Sequence, residues 1–164
     1  MRLRDTPTVE VTRRLACSPE RAWELVTDIE LPPAPRANCN GPSGSTAPPV
    51  SPSAPDSAGT TPVQMGEWHT EPEVVEVEDG RRWVWRVGPA DAPIALWGFE
   101  VDTDREGVVV RQWAKMCDGR SPLSEFIAQH PDKEGRIVEH RLSVWHTAMT
   151  ANLATIEEFA ADPA

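Results

Sequence analysis

The chain has 164 residues, a formal charge of −10, a pI near 4.8, 39% hydrophobic residues and 17 prolines. The length suits a single domain over 1–164. The acidic balance repels phosphate backbones and anionic surfaces, which excludes nucleic acid and membrane as partners.

In chain order, VEVTRRL at 9–15 sets Val9, Val11 and Leu15 on one parity, with Arg13 the exception, and predicts a first strand. ACSPERAWELVTD then predicts a helix of about three turns, because Ser18 suits its cap, Pro19 its first position, and Ala22, Trp23, Leu25 and Val26 an apolar stripe. From Leu31 the text is proline-rich with almost no large apolar side chain, so 32–61 is expected to be an irregular or disordered excursion within the domain.

Strand patterns resume with EVVEVE at 73–78, the favoured turn Asp79-Gly80, and RRWVWRV at 81–87. Ala95, Trp97, Phe99 and Val101 alternate with Leu96, Gly98, Glu100 and Asp102, and the turn DREG at 104–107 leads into VVVRQWAKM. Two consecutive hairpins imply an antiparallel meander. Trp83, Trp85 and Val87 share the inward face opposite Arg82 and Arg86, and in the last strand Val108, Val110, Gln112, Ala114 and Met116 are favoured as the inward set.

SPLSEFIAQHP predicts a short helix capped by Ser121 and stopped before Pro131. Beyond it Val138, Leu142, Trp145, Met149, Leu153, Ile156 and Ala160 recur at steps of three and four. That is a helix of about seven turns with one buried stripe, its solvated side carrying Glu139, Arg141, Asn152 and Glu157. The order of elements gives α+β rather than alternating βαβ units, and a long helix across a curved sheet leaves a hollow unless large side chains fill it.

Chemistry is sparser. His140 and His146 are six apart, outside the i, i+4 spacing of helical metal ligands, and no metal or other cofactor is implied. Glu67 and His69 in GEWHTEP share a face if extended and are the weak candidates for a proton-transfer pair. Cys17, Cys39 and Cys117 are odd in number and far apart, so reduced thiols are expected. No run of roughly 18 apolar residues exists and MRLRDTPTVEV lacks a signal core, which makes the cytoplasm the expected location. Trp83, Trp85, Trp97, Trp113 and Trp145 with Phe99, Met116 and Met149 are candidates to line a site for a flat apolar ligand. Gln112 is the polar group expected to orient it, since an inward amide needs a partner.

VEVTRRLACSPERAWELVTD resembles the opening of the START-related (SRPBCC) superfamily of polyketide cyclase/dehydrase-like and lipid-transfer-like proteins. LWGFEVDTD, VVVRQWAKMCDGRSPLSEFI and PDKEGRIVEHRL are similar to its actinobacterial members. The resemblance covers about residues 8–30 and 66–160 and implies the helix-grip (Bet v 1/START-like) fold, a curved antiparallel sheet on a long C-terminal helix. It further implies a small apolar molecule held between sheet and helix, or alternatively turnover of an aromatic or polyketide substrate, by a monomer or homodimer. The resemblance lapses over Leu31–Pro62. One choice of synonymous codons for NCNGPSGSTAP, read one base earlier, spells ELQWAEWLDGA, and SAPDSAG conceals VGARFRG in the same way. Both hidden strings look like family sequence, so a pair of compensating frameshifts is expected around this segment; sequencing the gene checks it.

Overall fold

The computed structural model describes residues 1–28 and 72–161. The proline-rich excursion over 32–61, together with Glu67 and His69, lies outside the described residues.

Strand β1 (Thr8–Leu15) leads into α1 (Pro19–Thr27). Strands β2 (Pro72–Glu78), β3 (Arg82–Val87), β4 (Ala95–Asp104) and β5 (Gly107–Met116) follow, then α2 (Pro122–Gln129) and α3 (Glu134–Ala161). The two shorter helices start where the capping chemistry says they should. The Ser18 hydroxyl accepts from the Arg21 amide at 3.2 Å, and Ser121 and Ser124 cap each other's backbone amides at 3.1 and 2.8 Å. The Asp79-Gly80 turn places Gly80 at φ +75°, a conformation open to glycine at little cost.

The five strands form one antiparallel sheet in the order β1-β5-β4-β3-β2, so the last strand of the meander returns beside the first. Register fixes the faces. Val11, Gln112, Phe99, Trp83 and Val77 form one inner row, and Val9, Ala114, Trp97, Trp85 and Val74 form the next. A bulge between Val74 and Glu76 brings both Val74 and Val77 onto this face, where strict alternation would pair Val75 with Val77.

Helix α3 packs chiefly on β1 and β5, and α1 packs on α3, β4 and β5. The buried residues of α3 are Val138, Leu142, Trp145, Met149, Leu153, Ile156 and Ala160, the stripe that its periodicity requires. The solvated side needs correction at two positions. Glu157 accepts from Arg13 on β1 at 2.7 Å, which explains a cation at an inward parity, and Asn152 reaches Gln112 on β5. The Leu3 amide donates to Glu134 at 2.9 Å, fastening the N-terminal turn to the start of α3.

The outer face carries charge in sheet order. Glu10 on β1, Arg111 on β5, Glu100 on β4, Arg82 on β3 and Glu76 on β2 alternate in sign across all five strands. Arg111 contacts Glu10 at 3.0 Å and Glu100 at 2.5 Å, Glu100 also pairs with Arg82, and Arg82 lies 2.9 Å from Glu76. Each strand is thereby tied to its neighbour by side chains as well as backbone.

Candidate functional site

The inward side chains of β3 and β4 form a continuous aromatic wall. Trp83 and Trp85 alternate on β3 and stand in register with Phe99 and Trp97 on β4, so four rings occupy two adjacent rows. Their centroids lie 5.2 Å apart for Trp83 and Trp85, 5.9 Å for Trp85 and Phe99, and 6.3 Å for both Trp83–Phe99 and Trp85–Trp97, the last two pairs being stacked. Trp145 descends from α3 onto Trp97 at 4.8 Å. Such separations are those at which aromatic pairs attract beyond simple burial. Opposite Trp97 on β5 stands Ala114, whose small side chain leaves room for the two indoles to meet.

Of the nine residues expected at the site from the sequence, eight lie on this inner side, but they do not form one group. Trp83, Trp85, Trp97, Phe99 and Trp145 are joined ring to ring. Met116 and Met149 are buried in the core, Met116 one inner row beyond Ala114. Gln112 faces inward, in register with Phe99. Its Oε1 accepts from Asn152 Nδ2 at 3.0 Å, so the helix holds the sheet amide by its oxygen. Asn152 was missed because the helical period places it on the flank of the stripe, not in it.

Trp113 is the other correction. It projects from the outer face beside Gly98, where a β-carbon would stand 2.5 Å from the indole, and the Arg82 guanidinium lies 5.5 Å above its ring. It therefore belongs to the charged side of the sheet. A groove of about 440 Å³ on that side is lined by Glu76, Glu78, Arg82, Glu100, Asp102 and Arg111. Its cations already face carboxylates, so it offers little to an apolar molecule.

Other candidate chemistry is quiet. Burial pushes the Cys17 and Cys117 thiols up from their ordinary range, which keeps them protonated and poorly nucleophilic at neutral pH. His140 and His146 are exposed on α3, and among the described residues no group of His, Cys, Asp and Glu is placed to hold a metal ion. No helix among the described residues is long and apolar enough to cross a membrane.

Comparison with solved structures agrees on the fold. A polyketide cyclase-like protein of Corynebacterium glutamicum, determined in solution, is 19% identical with a TM-score of 0.59, covering 97% of this chain and 91% of that one. A di-domain aromatase/cyclase of the steffimycin biosynthetic pathway, StfQ, is 15% identical with a TM-score of 0.61, covering 93% of this chain and 50% of its own. A protein of Nitrosomonas europaea is 17% identical with a TM-score of 0.52, covering 92% of each chain. No curated protein matches in sequence. The family described as polyketide cyclase / dehydrase and lipid transport matches residues 6–156. Helix-grip architecture and family match coincide over most of the chain, which therefore belongs to the polyketide cyclase / dehydrase and lipid transport family.

Proposed function

We propose that the chain binds a small, flat, mostly apolar molecule against the aromatic wall of the inner face. The observation that carries this reading is the contiguity of Trp83, Trp85, Phe99, Trp97 and Trp145, a run of rings spanning two strands and the long helix. A core needs volume, which aliphatic side chains supply more cheaply. Stacked indoles in two adjacent rows supply in addition a broad polarisable surface matched to another ring system. Trp145 closes one side of that surface from α3, and Val74 and Val77 continue the inner face on β2.

The family also includes cyclases and dehydrases, and StfQ is named as an aromatase/cyclase. Turnover requires a proton-transfer group at the wall. Gln112 carries an amide, which is neither an acid nor a base at neutral pH, and the ring contacts along the wall support binding.

Tryptophan fluorescence tests the reading directly. Titration with 9-fluorenone is expected to quench emission saturably with one molecule per chain. Trp145→Leu, which removes the ring overlying Trp97, is expected to weaken that binding about tenfold while unfolding stays cooperative. Quenching that rises linearly without saturation, in a protein that unfolds normally, rules the proposal out.

A further inference from the structure

Trp85 is the member of the aromatic wall with the most ring neighbours, touching Trp83, Trp97 and Phe99, and it is only 3% exposed. Its indole Nε1–H is fully buried and has no hydrogen-bond partner among the described residues. Buried tryptophan N–H groups normally find an acceptor, because a donor removed from water without one forfeits the hydration that it had in the unfolded chain. The nearby polar chemistry does not relieve it. Gln112, in register with Phe99 on β5, accepts from Asn152 and not from Trp85, and the residues beside Trp85 on neighbouring strands are Val74 and Trp97.

From this we infer that the ligand carries an oxygen acceptor, a ring ketone, quinone or phenolic oxygen, and that Trp85 Nε1 is the donor that receives it. The inference rests on the binding reading above and narrows it from flat apolar molecules to oxygenated aromatic ones. The physical logic is that of a site with one unsatisfied donor in a dry aromatic setting. A hydrocarbon leaves the donor unpaired, whereas an isosteric ketone pairs it, so the site discriminates between two molecules of nearly the same shape and area. Around that contact the stacked rings contribute affinity without orientation, and the N–H contributes orientation. A ligand ring slid along the wall keeps its dispersion contacts but loses the hydrogen bond, so the single donor fixes which edge of the molecule points towards β3.

The matched pair 9-fluorenone and fluorene separates the possibilities. Wild-type protein is expected to bind the ketone about five- to tenfold more tightly than the hydrocarbon, the ratio that one neutral hydrogen bond supplies. In Trp85→Phe that ratio is expected to fall to about one, whatever happens to absolute affinity, since the ratio cancels the loss of ring area common to both probes. If Trp85→Phe folds poorly, replacing Trp85 by benzothienylalanine, which keeps the bicyclic shape and lacks the N–H, makes the same comparison. Equal binding of the two probes by wild type, as when the N–H points at the face of a neighbouring ring, overturns the inference and leaves the binding reading standing. A ketone preference that survives in both variants also overturns it. Failure of wild type to bind either probe removes the binding reading itself, and the inference falls with it.

Discussion

Gln112 is 6% exposed between Val11 and Phe99 in an otherwise apolar row, and its stability there depends on Asn152. Removing one partner of a buried amide pair leaves the other to bear its desolvation, whereas removing both can be nearly neutral. Asn152→Ala is therefore expected to lower the urea unfolding free energy by about 1–3 kcal/mol. The double variant Gln112→Leu with Asn152→Leu should recover most of that loss. A midpoint unchanged by Asn152→Ala means that the bond contributes nothing net. The inward direction of Gln112 was legible from strand parity. Its partner was not, because helical periodicity identifies the centre of a stripe and leaves open which flank the crossing angle turns towards the sheet; Glu157 against Arg13 is the same case. Trp113 shows the opposite error. Its size put it among the ligand candidates, although the parity favoured for β5 set it opposite Gln112 and Ala114; Gly98, a residue with no side chain at an outer position of the neighbouring strand, is the second cue to where the indole lies.

At the scale of elements, the β4–β5 hairpin is held to the end of β1 by a bidentate ion pair. Arg14 donates to both oxygens of Asp104, at 2.6 and 2.7 Å, and the Glu106 amide donates to the same carboxylate at 2.8 Å. Hydrogen bonds from Arg14, reinforced by that amide, hold the Asp104 carboxyl well below its usual range. A group whose folded pKa is depressed contributes stability above its unfolded value, near pH 4, and that contribution fades as the pH falls towards the folded one. Asp104→Asn is thus expected to be less stable than wild type at pH 7, with the difference shrinking below about pH 4. Urea midpoints of the two proteins measured from pH 7 down to pH 2 check it, and a gap that is constant with pH contradicts the assignment. Both exposed partners make the effect weaken with added salt. The hairpin and its flanking strands were legible from alternation and turn chemistry, since both are local. The bulge in β2 was not, because EVVEVE offers valines to either face and only the register against Trp83 and Trp85 decides. Helix α3 likewise begins at Glu134, a turn before the first residue of its stripe, where a tertiary bond to Leu3 supports it.

For the molecule as a whole, the proposed site and the hydrophobic core are the same residues: Trp83, Trp85, Trp97, Phe99 and Trp145 belong to one buried cluster with Val110, Ala114 and Leu153. Truncating one of these indoles to alanine costs about 3–5 kcal/mol, a large part of the marginal stability of any domain, so loss of binding in such a variant says little about the site. Ligand-linked stability of the intact protein is the cleaner probe. A molecule that binds the native wall and not the unfolded chain raises the unfolding free energy by about 2.7 kcal/mol at one hundred times its dissociation constant. For a chain of this size that amounts to an upward shift of roughly 5–10 °C in the thermal midpoint. The two faces of the sheet then make opposite predictions about salt. Binding to the aromatic wall draws on apolar contact and should keep its shift from 0.05 M to 1 M salt, as flagged by the short screening lengths of about 14 and 3 Å at those concentrations. Binding of a charged molecule in the outer groove draws on Arg82, Arg111 and their carboxylates, and its shift should shrink across the same range. 9-Fluorenone is neutral and is not screened at either face, so the variant decides for it: a midpoint shift that is lost in Trp145→Leu places the ligand on the inner face, and one that Trp145→Leu leaves unchanged moves the functional site away from the aromatic wall.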